Sequence, residues 1–525
     1  MSRSSRFSQL AVVGVFLVGA AAVPSIAQVQ APAVPVGPLT LEQVLEIAES
    51  RSEAIALAEA GVRRAEGERT RARSGLYPQL SASASYDRSL ASEFEGVFDN
   101  QSLPGADEPD GEDSGFEDLP FGRANTWRVS LAFTQNLYTG GRQRAQEAIA
   151  AAGQEAAGLG VTTARAQLLF DVTQAYYDAA LSDRLVAIAE ASRDQSSDTL
   201  KQTQAGFDAG SQPEFEVLRA RVTRDNQTPL VIRQRVNREV ALLRLKEMLE
   251  LPADYDLRLA AALDDEQLAP APAFAARVTA IEAGIGVTDP ASFSLTVQTA
   301  TLPARTAVAE AATTLRLRES SLALTEAQRR PSASLNSTYS RIAYPSTFFP
   351  AFDRANWSVG ASVNLPILTG GRQRGDEQVA RAELDQARLQ LRQVEELAAL
   401  DTRSAWAELL AARAAWEATA GTVQQAARAY EIADVRFIAG VSTQLELSDS
   451  RLQLRQAEAN RALAARDLQV ARARVALLAD LPLGGGAAPA QRPAQPQPQT
   501  LPSQQQPGGI SNAAAQGALS QTGTR

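Results

Sequence analysis

The chain has 525 residues, a formal net charge of −9, no histidine and no cysteine. Without His it lacks the commonest general base and the commonest metal ligand, and without Cys it has no disulfide and no thiol for a lipid anchor. Lysine occurs only at Lys201 and Lys246, and no phosphate loop, GxSxG elbow or dinucleotide fingerprint is present, so an enzyme is not expected.

Residues 1–27 read as a secretory signal peptide: Arg3 and Arg6, an apolar stretch from Leu10 to Val23, then Ser25-Ile26-Ala27 before a cleavage at Gln28. An Ala/Pro-rich segment follows at 28–38. No later apolar run reaches the roughly 18 residues of a membrane helix, so a crossing of the bilayer has to use strands in a closed barrel. An acidic exported chain with scattered Arg is also not expected to bind nucleic acid.

A helix is expected at 40–75, opened by a Thr40–Gln43 capping box and stopped by Pro78. Leu80, Ala82, Ala84 and Tyr86 then alternate with polar neighbours, the period of a strand. Between Arg88 and Arg123 the loop 87–123 holds ten acidic residues and no Lys or Arg. A solvated, self-repelling loop is the plainer reading; binding of divalent cations is the alternative. Val129, Leu131 and Phe133 form a second alternation against Ser130, Ala132 and Thr134. Thr139-Gly140-Gly141 turns the chain into a Pro-free stretch, 142–208, rich in Ala, Leu, Gln, Arg and Glu. As one helix it would reach about 100 Å; Gly153, Gly158 and Gly160 are candidate break points. Gly210 ends it as a C-terminal cap, and a return helix is expected at 213–250.

Beyond a segment at 252–302 the same order returns. A helix at 303–329 stops before Pro331. Ala333, Leu335, Ser337 and Tyr339 alternate, then Trp357, Val359, Ala361 and Val363 against Ser358, Gly360, Ser362 and Asn364. Thr369-Gly370-Gly371 opens a long helix at 372–438, Gly440 closes it, and a return helix runs over 443–480. Leu137–Arg144 recurs as Ile367–Arg374, and Phe207–Gly210 as Phe437–Gly440, both at an offset of 230. Pro78 and Pro331 are offset by 253, so 23 extra residues lie between the strands of the first half. Residues 483–525, rich in Gly, Ala, Pro and Gln, read as a disordered tail. Period-two stretches with one small polar face are the signature of barrel strands, with Tyr86, Trp127, Tyr339 and Trp357 suited to membrane interfaces. A soluble half-buried sheet is the competing reading. Four strands are too few to close a membrane barrel, the smallest having eight, so copies must pool them.

A signal peptide, two helix–strand–strand–hairpin repeats at 39–251 and 303–482, a Pro entering the first strand of each and a Thr-Gly-Gly exit from the second resemble the TolC-type outer-membrane factors. The resemblance implies a mostly α, α+β fold. It would be a homotrimer whose twelve strands form a transmembrane β-barrel on a twelve-helix periplasmic α-barrel. The segment 252–302 and the start at 28–38 would lie in an equatorial collar, and the tail in the periplasm. Function would be that of a passive exit channel in a tripartite efflux pump or type I secretion system. Its partners would be outer-membrane lipid, a periplasmic adaptor and an inner-membrane pump or ABC transporter, with no catalytic cofactor. A soluble periplasmic coiled-coil adaptor or scaffold is the reading from another class.

The resemblance also places a gate. Glu446 and Asp449 fall on the family's pore-acid positions, where rings of carboxylates would attract cations. Thr443 to Glu446 also reads as a capping box, which would account for Glu446 alone. Glu216 falls on an acid that, in the family, joins a basic residue and a Tyr of the second hairpin. Those positions are Ser442 and Phe437 here, so that latch must differ; Arg219 is one alternative partner for Glu216. Phe207, Gly210, Phe437, Gly440 and Ser442 lie at the tips where the family meets its adaptor, with small residues allowing close backbone approach.

Overall fold

The computed structural model describes residues 37–91, 125–261, 263, 268–284, 304–344, 352 and 354–484. The signal peptide, nearly all of the 28–38 segment, most of the acidic 87–123 loop, parts of 252–302 and the tail beyond 484 lie outside them. In chain order the elements are α1 (Leu41–Arg51), α2 (Glu53–Ser74), β1 (Gln79–Arg88), β2 (Asn125–Tyr138), α3 (Arg142–Asp208) and α4 (Glu214–Met248). They continue with α5 (Pro272–Gly284), α6 (Thr306–Ala327), β3 (Ser332–Ala343), β4 (Arg354–Asn364), α7 (Arg372–Ile438) and α8 (Gln444–Leu477).

The capping box at Thr40 forms, but the single helix expected at 40–75 is two. Ser52 ends α1 and its side chain accepts from Ile55 N, starting α2 afresh. The break marks where the repeat begins: α2 and α6 are both 22 residues long. Each starts against the end of a return helix. The Glu250 carboxylate accepts from Glu53 N at 3.0 Å, and Asp480 accepts from Thr306 Oγ1 at 2.9 Å while Thr306 N donates to Ala479 O. Glu250 and Asp480 are themselves 230 residues apart.

The helices α3 and α7 are both 67 residues long and neither is broken. Gly153, Gly158 and Gly160 cause no interruption. A mid-helix Gly costs only about 1 kcal/mol relative to Ala, and α3 packs along its length on α2, α4, α6 and α8. The neighbour pattern orders the hairpins as α4, α3, α8, α7, so the second hairpin's return helix lies beside the first hairpin. Halfway down, a waist gathers the apolar core. Leu39 and Val44 meet Val172, Tyr176 and Ala179 of α3, Leu245 of α4, Val278 of α5, Leu409 of α7 and Leu468 of α8. An Arg305–Asp401 pair at 2.8 Å, with Arg305 buried and Asp401 mostly covered, ties the start of α6 to α7 there, with Arg474 on the same carboxylate.

The strands form one antiparallel meander in the order β1-β2-β3-β4. Register puts the two alternations of each repeat in phase. Ala84, Val129 and Arg341 lie in one row, Leu131, Tyr339 and Trp357 in another, on a largely apolar face. Ser83, Ser130 and Ser340, and Thr338 with Ser358, lie on the other face. Among the described strand residues only Ala343 is buried, and Trp357 stands 73 % exposed. A soluble sheet would cover one face with a core; this one covers neither.

Candidate functional site at the hairpin tips

Each hairpin turns by the same backbone chemistry. At the first tip Gly210 N donates to Phe207 O and Ser211 N to Gly206 O; at the second Gly440 N donates to Phe437 O and Val441 N to Arg436 O. This pair of bonds is a Schellman ending, which requires a left-handed residue after the helix. Gly210 and Gly440 supply it at φ +76° and +72°. Nothing lies within 4 Å of where a Cβ would stand on either, so backbone conformation, not close approach within the chain, demands glycine.

The side chains differ. Phe437 is 9 % exposed and packs with Ala433, Leu447 and Tyr430, while Phe207 is 41 % exposed. Burial pushes the Tyr430 phenol up, and the neighbouring Arg451 opposes the shift. Thr443 caps α8, its Oγ1 accepting from Glu446 N at 3.3 Å. The return half of the capping box is replaced: the Glu446 carboxylate accepts from Ser442 Oγ at 2.7 Å and lies 3.7 Å from Arg436. Asp449, one turn on and exposed, accepts from Gln453 at 2.9 Å. Glu446 and Asp449 therefore share one exposed face at the start of α8.

Glu216 makes no ion pair with Arg219 among the described residues, so the within-helix alternative falls. A helical neighbour three residues away was outcompeted by a group from the other hairpin. Gln444, 3 % exposed, lays its side-chain amide against Glu216 and Ala220 N of the first hairpin; the amide orientation that satisfies both puts its nitrogen 2.8 Å from Glu216 Oε2 and its oxygen 3.1 Å from Ala220 N. Ser442 is committed to Glu446. Sequence reading missed Gln444 and, further along α8, Arg451 and Arg455, which reach Ser196, Thr199 and Gln227 of the first hairpin. The available signal was the hydroxyl stripe Ser192, Ser196, Thr199 and Thr203, at the spacing of one helix face. Of the two lysines, Lys201 pairs with Asp198 at 2.8 Å and buried Lys246 donates to Ala253 O at 2.8 Å.

Over residues 44–249 and 299–479 the sequence matches the family described as outer membrane efflux protein. The chain belongs to that family. As an outer membrane efflux protein it is an efflux channel of the outer membrane with a large helical periplasmic part, and a soluble adaptor or scaffold is not favoured. No curated protein is significantly similar in sequence. Three solved outer membrane channels share the fold. The CmeC outer membrane channel of Campylobacter jejuni superposes with a TM-score of 0.65 at 15 % identity, covering 85 % of this chain and 86 % of that one. VceC of Vibrio cholerae gives 0.63 at 18 %, covering 84 % and 96 %. The MtrE outer membrane channel of Neisseria gonorrhoeae gives 0.61 at 18 %, covering 84 % and 89 %.

Proposed function

We propose that this efflux protein works as a homotrimeric, passive exit duct. Three copies pool their strands into a twelve-stranded barrel, and their hairpins into a twelve-helix periplasmic tunnel. The observation that carries this is the sheet. It is an open four-stranded meander with one largely apolar and one Ser/Thr/Asn face, and both edge strands unpaired among the described residues. Unpaired edges invite further strands, and only closure satisfies them inside lipid. The strands run from 10 to 14 residues, against about 9–11 for a tilted crossing of the hydrocarbon core. Tyr86 stacks on Trp127 at 4.7 Å near the loop end, and Tyr77 and Tyr138 lie exposed at the helix end, as the two aromatic girdles of a barrel would.

In this assembly Glu446 and Asp449 line the narrow periplasmic end as two rings of carboxylates that favour cations. Glu216 stands behind them. A periplasmic adaptor docks on the tips at Phe207, Gly210, Phe437, Gly440 and Ser442, linking the duct to an inner-membrane pump or ABC transporter for drug efflux or type I secretion. The duct needs no catalytic group and performs no chemistry. Planar-bilayer recording tests the reading. Purified trimer should pass cation-preferring current, and Asp449→Ala should lower that preference. Full-length protein that stays monomeric and soluble without detergent would defeat it.

A further inference from the structure

The apolar face of the sheet carries charge at one end only. Among the described strand residues its charged members are Arg88 and Arg341, both basic and both at the loop end. Asp87 and Arg128 lie at that end too, but on the Ser/Thr/Asn face. Arg341 stands inside a band of aromatic rings. One row nearer the helices are Tyr339 and Trp357, and one row nearer the loop are Tyr86 and Trp127. Its own row mates, Ala84, Val129 and Ala355, offer no polar group to its charge. The guanidinium is nonetheless oriented. Its Nε donates to Tyr339 Oη at 2.8 Å, and its Nη1 to Phe352 O, beyond the end of β3, at 3.5 Å. Arg341 is exposed, and among the described residues no carboxylate pairs with it and Nη2 has no partner. Tyr339, having accepted from Nε, keeps its own proton to donate.

An arginine on the lipid face of a barrel is costly at mid-bilayer and nearly without cost at the interface, so the aromatic band sets the depth at which this one is tolerated. Reaching for water alone would need no fixed orientation. A guanidinium held at two of its nitrogens, with the third turned outward, is instead prepared for an oxyanion, and its planar fork matches phosphate. We propose that Arg341 and the Tyr339 hydroxyl form a binding site for the phosphate of a lipid headgroup in the leaflet at the loop end of the barrel. Nη2 and the Tyr339 O–H donate to phosphate oxygens, and Trp357, 73 % exposed, borders the site on the acyl-chain side. The ligand is a lipid and not free phosphate. One exposed guanidinium holds a small anion weakly against water, whereas acyl chains in the bilayer keep a headgroup at this depth. The inference rests on the duct reading above, which turns this face to lipid.

The test counts lipids retained by the full-length assembly, by native mass spectrometry from a phosphate-free maltoside micelle. The probe is a phosphorylated, acylated glucosamine lipid, and the same lipid without its phosphate is the reference. The wild type should retain the phosphorylated lipid severalfold better than the reference. Arg341→Gln should bring its retention down to the reference level, and Tyr339→Phe should lower it by less. Arg341→Lys keeps the charge but loses the fork; it should fall between wild type and Arg341→Gln, and it serves if the glutamine variant does not assemble. Arg128→Gln removes the same charge from the opposite face and should change nothing. Equal retention by wild type and Arg341→Gln, or an equal loss with Arg128→Gln, overturns the site. Displacement of the lipid by millimolar inorganic phosphate overturns its assignment to lipid. A monomer soluble without detergent removes the duct; a conducting trimer whose lipid retention is indifferent to Arg341 removes this site alone.

Discussion

The two hairpin tips share a Phe-x-Ala-Gly ending, a Schellman turn and the same position in their repeats, yet one Phe is buried and the other is not. The difference arises across the turn. Phe437 meets Leu447, which is fully buried; the matching residue in the first hairpin is the shorter Val217. Thr443 caps α8 with its side chain, whereas Pro213 offers α4 no side-chain acceptor. A repeated motif thus fixes the backbone, and the residues ten positions later decide whether the tip has a core of its own. The second tip is a self-supporting unit. The first is completed from outside, by Gln444 on Glu216.

Phe437→Ala should open this contrast widest. Losing a buried Phe costs about 3 kcal/mol or more, so amide exchange across 430–447 should quicken by orders of magnitude, while Phe207→Ala should stay within about 0.5 kcal/mol of wild type. Equal losses in the two variants would show that assembly hides Phe207 as thoroughly as Phe437. Leu447→Ala comes next, at about 2–3 kcal/mol, with its effect confined to the second tip. Thr443→Ala should cost about 1 kcal/mol of α8 stability, read as faster exchange of its first turn. Where the tips are alike the losses should be alike: Gly210→Ala and Gly440→Ala should each cost about 1 kcal/mol, since both put a Cβ in the left-handed region. Smallest is Glu446→Gln. Its ion pair with Arg436 is half exposed on both sides and contributes at most about 1 kcal/mol, so stability should hardly move while cation preference, by reversal potential, declines.

Periodicity and repetition made most of the architecture legible. The bounds 142–208 and 372–438 follow from Thr-Gly-Gly at one end and Gly at the other, and the alternating positions give the faces of all four strands. Ser52 was less visible, because α1 runs into α2 with no Pro or Gly between them. Only the offset of 253 to Arg305, just before α6, marks the join. Pro229 lies inside α4 and does not end it; packing of a long hairpin outweighs the roughly 3 kcal/mol a mid-helix Pro costs. The partners of Glu216 and Arg451 were beyond sequence reasoning for another reason. Arg451 and its acceptors are 255 and 252 residues apart, and periodicity reports which way a side chain faces, not which distant side chain it meets.

Equal helix lengths carry a constraint on how such a chain can change. Seventy positions separate the Thr-Gly-Gly turn from the terminal Gly in both halves, and all 23 surplus residues sit between β1 and β2. Adding one residue to α3 alone would displace its far end by about 1.5 Å and rotate every later side chain by about 100°, throwing both its stripe and its depth out of step with α7. Evolution can therefore rewrite the β1–β2 loop freely, but it can lengthen or shorten the hairpins only in matched steps that bring the same face round again.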